Sequence, residues 1–187
     1  GLDQHLSGEG VRRRGRRGRL LHRGFALDLG IEEDFFEARL DRPLATLRLL
    51  HSPAGSGQAA PLGAGEHTDY GCVTVLATDG VAGLQVKRRG GGWEDVPTLP
   101  GAFICNIGDC LMRWTNDVYA STPHRVRAPA AERYSAAFFL DPNPDAVVAV
   151  LPGCTGPGNP PRYTPITGAA YLRAKLDETY AHRREPG

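Results

Sequence analysis

In GEHTDYGCVTVL, residues 65–76, His67 and Asp69 stand two apart, directly before an apolar run. Along an extended chain alternate side chains share a face, so the two can converge on one target, such as an ion. Alone, a His-x-Asp pair more often makes a loop hydrogen bond than a metal site. A third candidate ligand, His124 in STPHRVRAP, lies 55 residues beyond Asp69 at the head of another short run. Two histidines and one carboxylate suit non-haem Fe(II), leaving positions open for other ligands and dioxygen. They also suit hydrolytic zinc.

The segment ERYSAAFF weighs between the two. Arg133 and Ser135 are again two apart, nine and eleven residues after His124. A guanidinium beside a hydroxyl is a carboxylate clamp, because the planar fork gives a charge-assisted and often bidentate contact. Hydrolysis has no need of such a clamp, whereas an oxygenase that chelates a 2-oxo acid needs one for the distal carboxylate. Other positions receive plainer assignments. Asp109 in NIGD is expected to be a turn residue between strands. Trp93 and Trp114 are expected in the core or on a sheet face, and Arg125 and Arg127 on a solvated face. Asn116 and Tyr119 are candidates for the cavity wall, as are the apolar Val75, Phe103 and Phe138. His5, His22, His51 and His182 have no partner pattern.

These side chains must be held by short strands. LATLRLLH (44–51), GCVTVLAT (71–78), GLQVKR (83–88), GAFICNIG (101–108), CLMRW (110–114), HRVRA (124–128) and YSAAFFL (134–140) are strand candidates, separated by turn signals such as RRGGGW and DPNP. With no helical crossovers between them, they imply an antiparallel sandwich or barrel. IEEDFFEARLDRP predicts a short helix stopped by Pro43, and TGAAYLRAKLDETYAHRR a terminal helix packed on the sheet. VRRRGRRGRLLHRG, with seven arginines in fourteen residues, is expected to be a solvated, poorly defined arm. No aromatic residue interleaves with arginines 12–19, which weighs against a role on nucleic acid.

The 187 residues suit one globular domain, and a net charge of +1 from 22 basic and 21 acidic side chains gives no global field for nucleic acid or a membrane surface. No apolar run approaches the roughly 20 residues of a membrane span. A cytoplasmic protein is expected. Cys72, Cys105, Cys110 and Cys154 form no CxxC pair and are expected to be small buried apolar side chains.

HTDYGCVTVL, followed by GLQV, WEDVP, FICNIGDCLMRWTN, STPHRV and ERYSAAFFLDPNPDA, resembles the 2-oxoglutarate and Fe(II)-dependent dioxygenases of the isopenicillin N synthase-like group, in order from about residue 31 to about 182. The resemblance implies a mainly β fold, a double-stranded β-helix or jelly roll with flanking helices, over 31–187, after an Arg/Gly-rich segment over 1–30. It implies Fe(II) on His67, Asp69 and His124, with the far carboxylate of 2-oxoglutarate on Arg133 and Ser135. It further implies dioxygen as co-substrate and a small organic molecule as substrate, with no side chain as an obligatory general base. Oxidative decarboxylation to succinate would then drive hydroxylation, desaturation or cyclisation. Two departures accompany it: Ser52 stands where the family commonly has a tyrosine that helps hold 2-oxoglutarate, and the family's N-terminal region is not matched. The alternatives are an isopenicillin N synthase-like oxidase without 2-oxoglutarate and a metal-binding fragment without turnover. The sequence sets neither the substrate nor the oligomeric state.

Overall fold

The structure is a computed structural model that describes residues 8–54 and 63–182. Among the described residues ten strands and three helices follow one another, beginning with α1 (Gly8–Asp28), β1 (Ala45–Ser52), β2 (Ala64–His67), β3 (Val73–Thr78), β4 (Leu84–Lys87) and β5 (Trp93–Asp95). Next come β6 (Ile104–Ile107), α2 (Asp109–Trp114), β7 (His124–Val126), β8 (Arg133–Leu140), β9 (Val147–Val148), β10 (Ile166–Thr167) and α3 (Gly168–His182). Two four-stranded sheets, ordered β1-β8-β3-β6 and β2-β7-β4-β5, are antiparallel throughout. Side chains of both sheets line a single cavity, so the sheets face one another across it. This is the expected jelly roll.

Strand alternation gives the central strands β3 and β8 two buried faces, while the edge strand β1 is mostly exposed. Thr74, Leu76, Ser135, Ala137 and Phe139 face the cavity. Val73, Val75, Phe138 and Leu140 point the other way, into a core with Ala26, Phe36, Leu40, Trp114 and Tyr171. Phe36 meets Trp114 edge-on, centroids 5.3 Å apart at 81°, the arrangement the ring quadrupoles favour. The expected lining by Val75, Phe103 and Phe138 is therefore corrected: Val75 and Phe138 lie in the core, and Phe103 sits beneath Arg17 of α1 on that same far side.

Cys72, Cys110 and Cys154 are buried as expected, but Cys105 is exposed, and three further expectations change. CLMRW is helical, not a strand: α2 buries Cys110, Leu111 and Trp114 on one side, and so short an apolar run fits either period. Asp109 thus opens a helix. The predicted helix over 31–43 is a series of tight turns with i to i+3 bonds, Phe35 N–H to Glu32 O and Glu37 N–H to Asp34 O, ending in a 3₁₀ turn at Glu37–Arg39. It still buries Phe36 and Leu40, as its spacing requires. The arginine-rich stretch is α1, and it packs on β3 and β8. Its buried stripe is Gly15, Gly18, His22 and Ala26, at helical spacing, with Arg16 and Arg17 exposed. A Cβ on Gly18 would lie 2.5 Å from Leu140 Cδ2, so that glycine lets helix and sheet approach closely. No described helix is long and apolar enough to cross a membrane.

Candidate metal centre and ligand cavity

His67 ends β2 and His124 begins β7, and the two are cross-strand partners. Their rings lie 4.3 Å apart between centroids. Asp69 lies just beyond β2 rather than on it, so the loop, not strand alternation, aims its carboxylate. Helix α2 fixes that loop: the first N–H groups of a helix have no intrahelical acceptor, and here Asp109 N–H donates to Asp69 O at 2.7 Å and Cys110 N–H to Tyr70 O at 3.0 Å. Gly108 lets the backbones meet, since a Cβ there would stand 2.3 Å from Gly71 O and 2.8 Å from Asp69 O. Helix α3 braces the far side. Tyr171 donates to Tyr70 O at 3.0 Å, Tyr70 and Thr179 share a hydroxyl contact, and Lys175 pairs with Asp109 at 3.1 Å.

Each candidate ligand presents one free atom. Asp69 Oδ2 accepts from Thr74 Oγ1 at 2.5 Å and from Asn106 Nδ2 at 2.8 Å, which leaves Oδ1 toward the histidines. His124 Nε2 is 3.6 Å from Oδ1 and His67 Nε2 is 3.9 Å from it. A carbonyl can only accept, so the contacts of His67 Nδ1 with Gly65 O (2.8 Å) and His124 Nδ1 with Thr122 O (3.0 Å) put the proton on Nδ1 in both rings. Both Nε2 lone pairs then face the carboxylate. This is the tautomer a metal ligand needs, set by its hydrogen-bond partner. One ligand atom from each residue lies within 4.8 Å of the others. Adjacent ligands with bonds of about 2.1 Å sit about 3 Å apart, so the two histidine–aspartate gaps would close by less than about 1 Å around an ion. The donor set fits a divalent cation. Behind the loop, burial, then the nearby Asp69 charge, push the Asp141 carboxyl up to about 7.

The cavity, about 520 Å³, extends from this cluster to Arg133 and Ser135, both buried. Arg133 Nη1 donates to Ser135 Oγ and its Nε to Val81 O, each at 3.2 Å. No carboxylate among the described residues lies within ion-pair distance of it. Burial holds its pKa below the ordinary arginine value, with Asp79 pulling weakly the other way. An arginine so placed, with hydroxyl beside it, is a seat for an anion. Between the two ends the walls are Leu50, Leu76, Leu84, Val86, Val96, Ile104 and Val126.

The structure thus brings His67, Asp69 and His124 together, and puts Arg133 and Ser135 in the same cavity. Asn116 and Tyr119 lie elsewhere: Asn116 is buried and bonds to Cys154 O and Pro160 O, while Tyr119 bonds to Asp28. Arg125 is not merely solvated, since it bonds to Gln85 and lies 4.1 Å over the Trp93 ring. Thr74 and Asn106 were not foreseen. Thr74 shares strand parity with Leu76, but only cross-strand pairing to Asn106 puts both on Asp69.

Residues 43–142 match the family model of the 2OG-Fe(II) oxygenase superfamily. The 2-oxoglutarate-Fe(II) type oxidoreductase hxnY of Emericella nidulans is 42% identical over 160 residues, covering 83% of this chain and 46% of that protein. A homoarginine-6-hydroxylase of Oryza sativa is 38% identical over 143 residues, 73% of this chain and 44% of that one. The crystal structure of a full-length Neurospora crassa protein in complex with alpha-KG and thymine superposes with a TM-score of 0.86 at 34% identity, covering 91% of this chain and 55% of that chain. The chain spans about half the length of these relatives.

Proposed function

The chain belongs to the 2OG-Fe(II) oxygenase superfamily, and on that premise we propose that it works as a 2-oxoglutarate-dependent oxygenase acting on a small organic molecule. His67 Nε2, Asp69 Oδ1 and His124 Nε2 are the proposed Fe(II) ligands, with Arg133 and Ser135 on the far carboxylate of 2-oxoglutarate. Bound Fe(II), 2-oxoglutarate and dioxygen together supply the oxidation, in which the co-substrate leaves as succinate and carbon dioxide while a substrate C–H bond is hydroxylated, desaturated or cyclised. The chain's own groups orient and exclude. Gly65 O and Thr122 O each accept from Nδ1–H and so turn Nε2 of the two imidazoles toward the ion, and Thr74 with Asn106 keeps Asp69 one-armed toward it. Arg133 fixes the co-substrate by charge, and the aliphatic walls keep water from the reacting centre.

The observation that carries this reading is the presence, in one cavity, of three convergent ligand atoms and a buried arginine with no carboxylate partner among the described residues. Placement in the isopenicillin N synthase-like group, and work in the cytoplasm, belong to the same proposal; free thiols at Cys72, Cys105, Cys110 and Cys154 suit a reducing compartment. The test is succinate formation from 2-oxoglutarate in air with added Fe(II). Iron-dependent succinate that disappears in His124→Ala is expected. Iron binding without any succinate would overturn the co-substrate assignment and favour an oxidase that works without 2-oxoglutarate.

A further inference from the structure

Arg48 is a second guanidinium on the cavity wall. It projects from β1, lies 5.7 Å over the Phe139 ring, and has no carboxylate partner among the described residues. Apart from the three candidate ligands and Arg133, it is the only charged side chain among the described lining residues.

Strand register locates it. Arg48 pairs with Ala137, and Ala137 with Leu76. One step along the sheet is the row of Phe139, Thr74 and Asn106, whose last two members hold Asp69. Two steps the other way is the row of Ser52 and Arg133. A step is two residues, about 6.7 Å. Arg48 is therefore about 7 Å along the sheet from the metal row and about 13 Å from the clamp row, one strand out from Arg133 and two from Thr74. Its row falls between those two, and β1 is the edge strand of the sheet, so the exposed Arg48 flanks a 2-oxoglutarate molecule reaching from the metal to Arg133 from the rim of the cavity.

We propose that Arg48 anchors an acidic group of the substrate, so that the substrate class is a small carboxylic acid whose apolar body lies along Leu50, Leu76 and Phe139. The proposal rests on the assignment of the metal and 2-oxoglutarate ends above. Phe139 holds the guanidinium plane over the cavity by a cation–π contact, and Ala137, the small residue beside it, leaves room for a carboxylate in front. A guanidinium in this setting gives a carboxylate two parallel N–H contacts, which neither an ester nor an amide reproduces.

The probes are straight-chain alkanoates and ω-phenylalkanoates of increasing length, each beside its primary amide. Their binding is read as a concentration-dependent melting shift of protein loaded with Mn(II) and 2-oxoglutarate. At least one acid is expected to bind tenfold or more tightly than its amide. Arg48→Gln should erase that preference, Arg48→Lys should restore part of it, and 2-oxoglutarate affinity should stay within about twofold in both variants. Acids that bind no better than amides across the whole series overturn the proposal. So does an Arg48→Gln variant that loses 2-oxoglutarate as strongly as acid, which would make Arg48 part of the co-substrate seat. A wild type that takes up no 2-oxoglutarate is a distinct result and overturns the parent assignment together with this one.

Discussion

Replacing Thr74 by Val removes one hydroxyl and almost no volume, at a position 5% exposed. Its consequence falls on Asp69, whose Oδ2 accepts from only Thr74 and Asn106 among the described residues. A hydrogen bond to a charged group contributes about 1.5–3 kcal/mol, so the variant removes about half of what fixes the carboxylate. With Oδ2 half released, the carboxylate can rotate, and Oδ1 no longer waits between the two histidines. Partners of this kind are worth about 10–100-fold in metal affinity, or about 1.4–2.7 kcal/mol, which agrees with the loss of one such bond. Competition between the protein and a chromophoric chelator for Mn(II) measures the change, and melting of the metal-free protein controls for general damage. We expect metal affinity to fall by about ten- to a hundredfold with the fold intact. Asn106→Ala should act similarly, and the double variant should fall below either single one. An affinity within twofold of wild type, in a folded Thr74→Val protein, would refute the account of how Asp69 is oriented.

Burial pushes the His22 imidazole down to about 4, although Gly18 O pulls it back. The unfolded chain has a histidine near 6.5, so it binds the extra proton between those values and stability falls as pH drops from about 6.5 toward 4. Between pH 7 and pH 5 this amounts to about 2 kcal/mol, a part of the acid sensitivity that His22→Leu should remove in urea melts; equal sensitivity in both proteins would contradict it. Gly108→Ala puts a methyl against the carbonyls of Gly71 and Asp69, and should cost about 1–3 kcal/mol in thermal stability. It should also weaken metal binding more than Gly92→Ala, where an added Cβ meets nothing within 4 Å. Tyr171→Phe removes the bond to Tyr70 O and should lower stability by about 1 kcal/mol, with metal affinity falling in parallel because that bond braces the ligand loop.

The strands at 45–52, 73–78, 84–87, 104–107 and 133–140 were legible because their apolar runs are bounded by glycine and proline. So was the convergence of Arg133 and Ser135 on one face, since parity along a strand is fixed. The same parity puts Phe138 on the face opposite Ser135, in the core rather than on the cavity. Helix α1 was hidden because its buried stripe is Gly15, Gly18, His22 and Ala26: the sheet is close enough to demand small residues, and the one ring is a histidine held neutral by burial. β2 was hidden because AGEH is short and polar. Its pairing with β7 nevertheless brings His67 to His124, a long-range contact that no local pattern encodes. Asn106 was invisible for the same reason, since its role depends on register with Thr74.

The most direct test of the metal and clamp assignment is an anaerobic titration of the apo-protein with Fe(II) and then 2-oxoglutarate, followed in the visible region. A charge-transfer band of a chelated 2-oxo acid is predicted for the wild type. It should vanish in His124→Ala, and in Arg133→Ala it should appear only at much higher 2-oxoglutarate. A band that survives His124→Ala, or that forms at the same 2-oxoglutarate concentration in Arg133→Ala as in the wild type, would contradict the assignment of those residues.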